Sequence, residues 1–297
     1  MKKNIVLITG GAGFIGSSLI KSFVKNQYNY KIISLDNYSA GTKKNHVLNK
    51  NVKYINGDTK NISNILKKYK KKINSIFHFG EFSRIAQSFL KFDQCIKSNS
   101  IGTHEVFNFC LINDIKLIYS ATSATIGNDG KDKNLSPYAF SKSKNLELLE
   151  NLKKWFKMRF EIIYFYNVYG PMQICKGDMA TVIGIFEDAY KKNLPLPIVK
   201  PGSQSRRFTH INDTTDACYL AWKKNKCLHY SVTNKKSYKI SEVAKLFGHK
   251  YKYLPARKGE RFASSLTTMN LSNRVHRIYG KIMLKDYVRA FIKNNKN

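Results

Sequence analysis

Tyr138 and Lys142 stand four residues apart in "YAFSK" (138–142). On a helix that spacing is one turn, so both side chains project from the same face. A phenol of pKa about 10 is a poor base at neutral pH. An ammonium beside it favours the phenolate and brings the group toward a working range, where it can take the proton of a hydroxyl. Alone, such a pair is an ordinary exposed helix pair that many sequences contain. Its meaning depends on whether the chain also builds a place for a redox partner.

The stretch "LITGGAGFIGSSLIK" (7–21) sets Gly10, Gly13 and Gly16 three residues apart. Apolar residues precede these glycines and a helical pattern follows them. Amide N–H groups and the positive end of the helix can therefore face a phosphate. Twenty residues past Gly16, Asp36 in "SLDN" closes the next apolar run. A carboxylate there can accept hydrogen bonds from an adenosine ribose. It would also repel a 2′-phosphate, which favours NAD over NADP. Turn, helix and carboxylate together predict a dinucleotide site.

The elements that must position these residues alternate along the chain. Short apolar runs at 4–9, 31–35, 52–56, 75–80, 116–121 and 160–166 read as strands covered on both faces. Helical patterns at 14–26, 61–71, 98–113 and 138–157 lie between them. Six βα repeats predict an α/β fold with a Rossmann-like, doubly wound parallel sheet. After residue 170 the rhythm breaks into loop-rich segments, with helices at 179–192 and 240–247. The expected organisation is an NAD-binding domain over 1–170, catalytic Tyr and Lys included. Residues 171–297 are expected to be mainly a smaller α/β substrate-binding region, with some segments returning to the main sheet.

Bulk properties narrow the function classes. Lys and Arg number 52 against 19 Asp and Glu, a formal charge of +33. The lysines are spread through every segment, and no helix-turn-helix, zinc-finger or RNP signature accompanies them, so nucleic acid is not the expected partner. The Lys67–Lys72 cluster is expected at a helix end, where cations oppose the negative dipole. An anionic small substrate would be welcome. No apolar run approaches the ~20 residues of a membrane span. The apolar start reads as a first strand rather than a signal peptide, which predicts a cytoplasmic protein. Five dispersed cysteines lack metal-ligand spacing, so neither disulfides nor a metal is expected.

The GxxGxxG spacing resembles that of extended short-chain dehydrogenases/reductases, and further segments continue the likeness in order. They are "GDTKN" (57–61), "HFGE" (78–81), "SNSIGTHEVF" (98–107), "YAFSK", "YFYNVYGP" (164–171), "GSQSRRFTHINDTTDA" (202–217) and "PARKGE" (255–260). The resemblance implies cofactor contacts at Gly10, Gly13, Phe14, Ile15 and Gly16 in the first turn, and at Asp36 and Asn37. It implies Asp58 and Thr59 beside the adenine. Phe79, Gly80, Asn99, Ser120, Phe165 and Val168 follow along the remaining motifs, with Tyr138 and Lys142 at the nicotinamide end.

The resemblance also places a reacting-oxygen hydroxyl at Thr122 in "YSATSATIG" (119–127), with Ser123 next to it. Dehydratases of this superfamily carry Thr-Asp-Glu there, and the two carboxyls serve the elimination of water. Thr122-Ser123-Ala124 has neither carboxyl, so the likeness is closest to enzymes of the UDP-glucose 4-epimerase type. These invert C4 through a transient 4-keto sugar; the alternatives are another NAD-dependent nucleotide-sugar enzyme, such as a decarboxylase, a reductase or a different epimerase, and a non-catalytic NAD-binding protein. Arg206 and Arg257 are implied at a nucleotide diphosphate, and Asn167 at the substrate's pyrophosphate or sugar, with Thr122, Ser123 and Tyr138 around the sugar. The expected partner is a nucleotide sugar, UDP-linked, with a homodimer through 93–113 and 138–157 as a further expectation. The chain departs from the family pattern at Arg207, at Tyr164 and throughout "GEFSRIAQSF" (80–89).

Overall fold

The computed structural model describes residues 4–27, 29–256 and 275–295. Strands β1 (Ile5–Thr9), β2 (Lys31–Asp36), β3 (Val52–Asn56), β4 (Ile73–His78), β5 (Lys116–Thr122) and β6 (Phe160–Phe165) follow the apolar runs. Two later strands, β7 (His229–Thr233) and β8 (Val275–Tyr279), extend the same sheet. All neighbours run parallel, in the order β8-β7-β6-β5-β4-β1-β2-β3. The order reverses between β1 and β4, and a crevice opens at the carboxyl ends of strands at such a point.

Side-chain alternation along the strands feeds two cores. Ile5 and Leu7 of β1 join Ile33, Ile76 and Leu117 on one face, under α5 (Thr103–Ile112) and α6 (Pro137–Phe156). Val6 and Ile8 join Phe77, Ile118 and Ile163 on the other, under α1 (Phe14–Lys25) and α8 (Ile211–Lys223). Trp222 of α8 packs there against Phe23 and donates its indole N–H to Ser75 Oγ at 2.7 Å. A third core gathers α7 (Val182–Lys191), α9 (Ile240–Leu246) and α10 (Leu284–Lys293) around Leu196, Ile198 and Phe208.

Two helices differ from the periodicity reading. The pattern over 61–71 yields only α2 (Ile62–Ile65) and a later 3-10 turn at Lys70–Lys72. The lysines of 67–72 present like charges at adjacent helical positions, which disfavours a continuous helix. They therefore lie in turns rather than at a helix end. The pattern over 98–113 divides into a π-type segment, Lys97–Gly102, and α5. Such local widenings of a helix are common beside functional sites. The remaining short helices are α3 (Ile85–Leu90) and α4 (Phe92–Ile96). No described helix is long and apolar enough to cross a membrane.

Candidate active site

A cleft of about 550 Å³ runs along the carboxyl ends of the strands, from the β1 glycine turn to the segment around Arg206. At one end the chain makes a cradle that only glycine fits. Gly10 has φ +69°, and a Cβ on it would lie 2.8 Å from the backbone of Phe79 and Gly80. A Cβ on Gly16 would lie 2.2 Å from the Gly10 carbonyl oxygen. Backbone can thus approach a ligand closely at the start of α1, whose N-terminal amides suit a pyrophosphate. Asp36 Oδ2 accepts the Ala12 N–H and Oδ1 the Tyr38 N–H, both at 2.8 Å. Those bonds aim the carboxylate into the cleft with acceptor capacity left for ribose hydroxyls. Asn37 donates to Asp58 at 2.9 Å, which ties the ends of β2 and β3 together beside Thr59. The residues present fit an ADP-ribose.

The chemical end lies under β5 and α6. Ser136 caps α6, its Oγ accepting the Ala139 N–H at 3.1 Å, and Pro137 opens the first turn. That start fixes Tyr138 and Lys142 one turn apart, both buried and both lining the cleft. Thr122, at the end of β5, lies beside the Tyr138 phenol and opposes the rise of its pKa. Burial pushes that phenol up to about 12; the Thr122 hydroxyl opposes the rise, the Glu81 charge adds to it and the Arg84 charge opposes it. The ammonium of Lys142 is held by Glu81 and by the Ser120 carbonyl. Burial lowers its pKa and Glu81 holds it up. Lys142 therefore stands in the cleft as half of a buried ion pair with Glu81.

Glu81 and Arg84 are the participants that sequence reasoning missed. Both line the cleft, within the stretch that departs from the family pattern. Behind Glu81, His78 Nδ1 meets Thr9 Oγ1 at 2.7 Å and its Nε2 meets Thr103 Oγ1 at 3.0 Å. Thr103 donates onward to Glu81 at 3.0 Å. This relay ties β1 and β4 to α5.

Most of the expected site residues converge on this one cleft. Gly10, Gly13, Phe14, Ile15, Gly16, Asp36, Asn37, Asp58, Thr59, Phe79, Gly80, Ser120, Thr122, Ser123, Tyr138, Lys142, Phe165, Asn167, Val168 and Arg206 all line the cleft. Asn99 does not. Its amide sits behind the wall, accepting the Phe82 N–H at 2.7 Å and donating to the Phe82 carbonyl at 3.0 Å. The π-type segment turns Asn99 inward, where it holds the loop after β4. Asn167 Nδ2 donates to the Arg207 carbonyl at 2.8 Å. Arg207 itself bonds the Asn234 and Lys235 carbonyls, and Tyr164 bonds His229 at 3.1 Å inside the sheet. Gln204, beside Arg206, keeps a buried Oε1 with no described partner. Arg257 lies outside the described residues. No cluster of metal-ligating side chains occurs among the described residues.

Comparison with known proteins agrees with this geometry. The NAD dependent epimerase/dehydratase family matches over residues 6–234. A Methanocaldococcus jannaschii protein with the provisional name UDP-glucose 4-epimerase is 30% identical over 233 residues, which cover 74% of each chain. Human dTDP-D-glucose 4,6-dehydratase is 30% identical over 236 residues, covering 74% of this chain and 66% of its own. A Thermotoga maritima UDP-glucose 4-epimerase, solved with UDP-glucose, superposes with a TM-score of 0.85 at 23% identity and covers 97% of both chains. The chain belongs to the NAD dependent epimerase/dehydratase family, among the extended short-chain dehydrogenases/reductases, and its cofactor is NAD.

Proposed function

We propose that this protein is a nucleotide-sugar 4-epimerase that acts on a UDP-linked hexose by transient oxidation at C4. One observation carries the reading. Tyr138 and Thr122 both line the cleft, close enough for Thr122 to lower the phenol's pKa, and the residues after Thr122 are Ser123 and Ala124, neither of them a carboxylic acid. Eliminating water needs an acid and a base at the sugar. The cleft's described carboxylates are committed elsewhere. Asp36 and Asp58 belong to the ribose end, Glu81 is engaged by Lys142 and four other donors, and Asp178 pairs with Lys91 at 2.8 Å. Relatives named for UDP-glucose epimerisation support the substrate class.

In this reading Tyr138 takes the proton of the C4 hydroxyl, and Thr122 holds the same oxygen. Lys142 faces the nicotinamide ribose from its place on Ser120 and Glu81. Bound NAD supplies the acceptor, and then the donor, of the C4 hydrogen. Inversion follows when the keto sugar presents its other face before the hydrogen returns and Tyr138 gives back the proton. Arg206 and Asn167 hold the pyrophosphate, where a guanidinium fork suits phosphate oxygens; Arg257 is assigned the same role. The test is incubation with UDP-, GDP- and dTDP-sugars, read by NMR for C4 configuration. Interconversion of C4 epimers of a UDP-sugar is expected. A 4-keto-6-deoxy product would contradict it.

A further inference from the structure

The cleft occupies the carboxyl edge of the sheet, and because the strands run parallel their amino ends share the opposite edge. Helix α6 ends at that edge in "LKKWFKMRF" (152–160). Leu149 and Leu152 turn into the core, and Lys157, at φ +57°, closes the last turn with its N–H on the Lys153 carbonyl at 3.0 Å. Trp155 and Phe156 are left outside, 62% and 58% exposed, their ring centres 6.2 Å apart in an edge-to-face pair. Ile112, at the end of α5, is 71% exposed. Arg159 donates to Asp114 Oδ1 at 2.9 and 3.2 Å and to the Asp114 carbonyl at 3.0 Å, which clasps the α5 corner to the α6 corner. Fully burying a large apolar side chain is worth about 1.5–3 kcal/mol, so this corner gains by being covered.

The same edge is cationic. Lys154 and Lys157 flank the two aromatics and are exposed, with Lys153 half-buried beside them. Farther along the edge, Lys31 opens β2, Lys70–Lys72 precede β4, and Lys223 and Lys224 end α8, all of them exposed. The neighbouring carboxylates are taken. Asp114 is held by Arg159, and the fully buried Glu161 by Lys116 at 3.4 Å and by the backbone N–H groups of Lys226, Cys227 and Leu228. An aromatic pair inside a lysine collar matches one kind of surface. Aromatic rings with a polar handle favour the headgroup level of a bilayer, and each lysine near an anionic leaflet adds attraction. A second copy of the chain fits the corner poorly, since a two-fold contact would set one lysine collar against another.

We propose that this amino edge docks the protein on an anionic lipid bilayer, with Trp155 and Phe156 entering the headgroup region and Lys153, Lys154 and Lys157 meeting acidic headgroups. The contact is peripheral. Leu149 and Leu152 anchor the end of α6 in the core, so the helix stays in the fold while its last turn touches lipid. Docked on this edge, the protein keeps the cleft at the carboxyl ends turned away from the bilayer, and a water-borne substrate reaches it freely. None of the five docking residues lines the cleft, so the surface is separate from the chemistry.

The test is sedimentation of the full chain with sucrose-loaded vesicles, made of phosphatidylcholine alone or of an equal mixture with phosphatidylglycerol. Binding to the mixed vesicles is expected, weakening as salt rises from about 0.1 M toward 1 M and screens the charges. Trp155→Ala/Phe156→Ala is expected to lower partitioning by about tenfold or more. Lys153→Gln/Lys154→Gln/Lys157→Gln is expected to lower it by about 10²-fold, at roughly fivefold for each lysine near the surface. The chain has 2 tryptophans and Trp222 is buried, so brominated acyl chains should quench Trp155 emission and leave Trp155→Ala unquenched. That quenching decides alone if a variant does not fold. No binding to the mixed vesicles overturns the proposal, as does equal binding to phosphatidylcholine alone. Binding that survives the loss of both aromatics is diffuse attraction by a chain of charge +33, and it overturns the proposal too. A change of oligomeric state in Trp155→Ala/Phe156→Ala, read by light scattering without vesicles, would assign the corner to a second copy instead.

Discussion

At the scale of single residues, two side chains separate binding from chemistry. If Tyr138 is the acid–base group, Tyr138→Phe removes the proton acceptor and almost no volume, so NAD should stay bound while turnover falls by about 10²–10⁴-fold, the usual worth of a positioned acid–base group. Turnover with UDP-sugar and NAD content of the purified variant check this together. Asp36 has both oxygens on backbone N–H groups and faces the ribose end of the cleft. Asp36→Ala should weaken NAD by about 1.5–3 kcal/mol, as for a lost hydrogen bond to a charged group, in a calorimetric titration. Both residues were legible in the sequence because their spacing from a turn or along a helix is itself the signal. Glu81 was not. Its partners Lys142, Asn145 and Thr103 are distant in sequence, and no local pattern marks a lone carboxylate after a strand as one half of a buried pair. The place of Asn99 behind the cleft wall was hidden for a related reason, since a helical pattern does not reveal a π-type turn.

At the scale of elements, strands read well and helix ends less so. Residues 73–78 and 116–122 are apolar enough to be strands in any context, whereas 61–71 keeps a helical period that its lysine run cannot sustain. The joint between β1, β4 and α5 carries a pH dependence of its own. His78 is fully buried, and Thr103, which donates to Glu81, takes the proton of Nε2, so Nδ1 must accept from Thr9. Burial lowers its pKa to about 4 from 6.5. Between those values the unfolded chain binds the proton and the folded chain does not. Stability is therefore complete above pH 6.5 and declines as pH falls toward 4, by up to about 3 kcal/mol from this group. Urea unfolding at pH 7 and pH 4.5 measures the loss, and His78→Asn should show a smaller difference between the two.

At the scale of the molecule, the parallel sheet and the C-terminal helices meet across one cleft that runs from the glycine turn after β1 to Arg206. The order of βα units made that sheet readable from sequence, up to β6. That some later segments return to the main sheet was expected, but which ones was not legible, because β7 and β8 follow no continuing βα rhythm. The central claim concerns what this cleft does with one carbon-bound hydrogen. If Tyr138 and Thr122 serve oxidation at C4 and no carboxyl serves elimination, the C4 hydrogen leaves and returns inside the site without meeting solvent. The most direct test is epimerisation of UDP-glucose, or of its N-acetylated counterpart, in heavy water, followed by NMR. The account predicts a C4-inverted product with no deuterium on carbon and no accumulating NADH. Deuterium at C3 or C5, or NADH released in proportion to product, would contradict it.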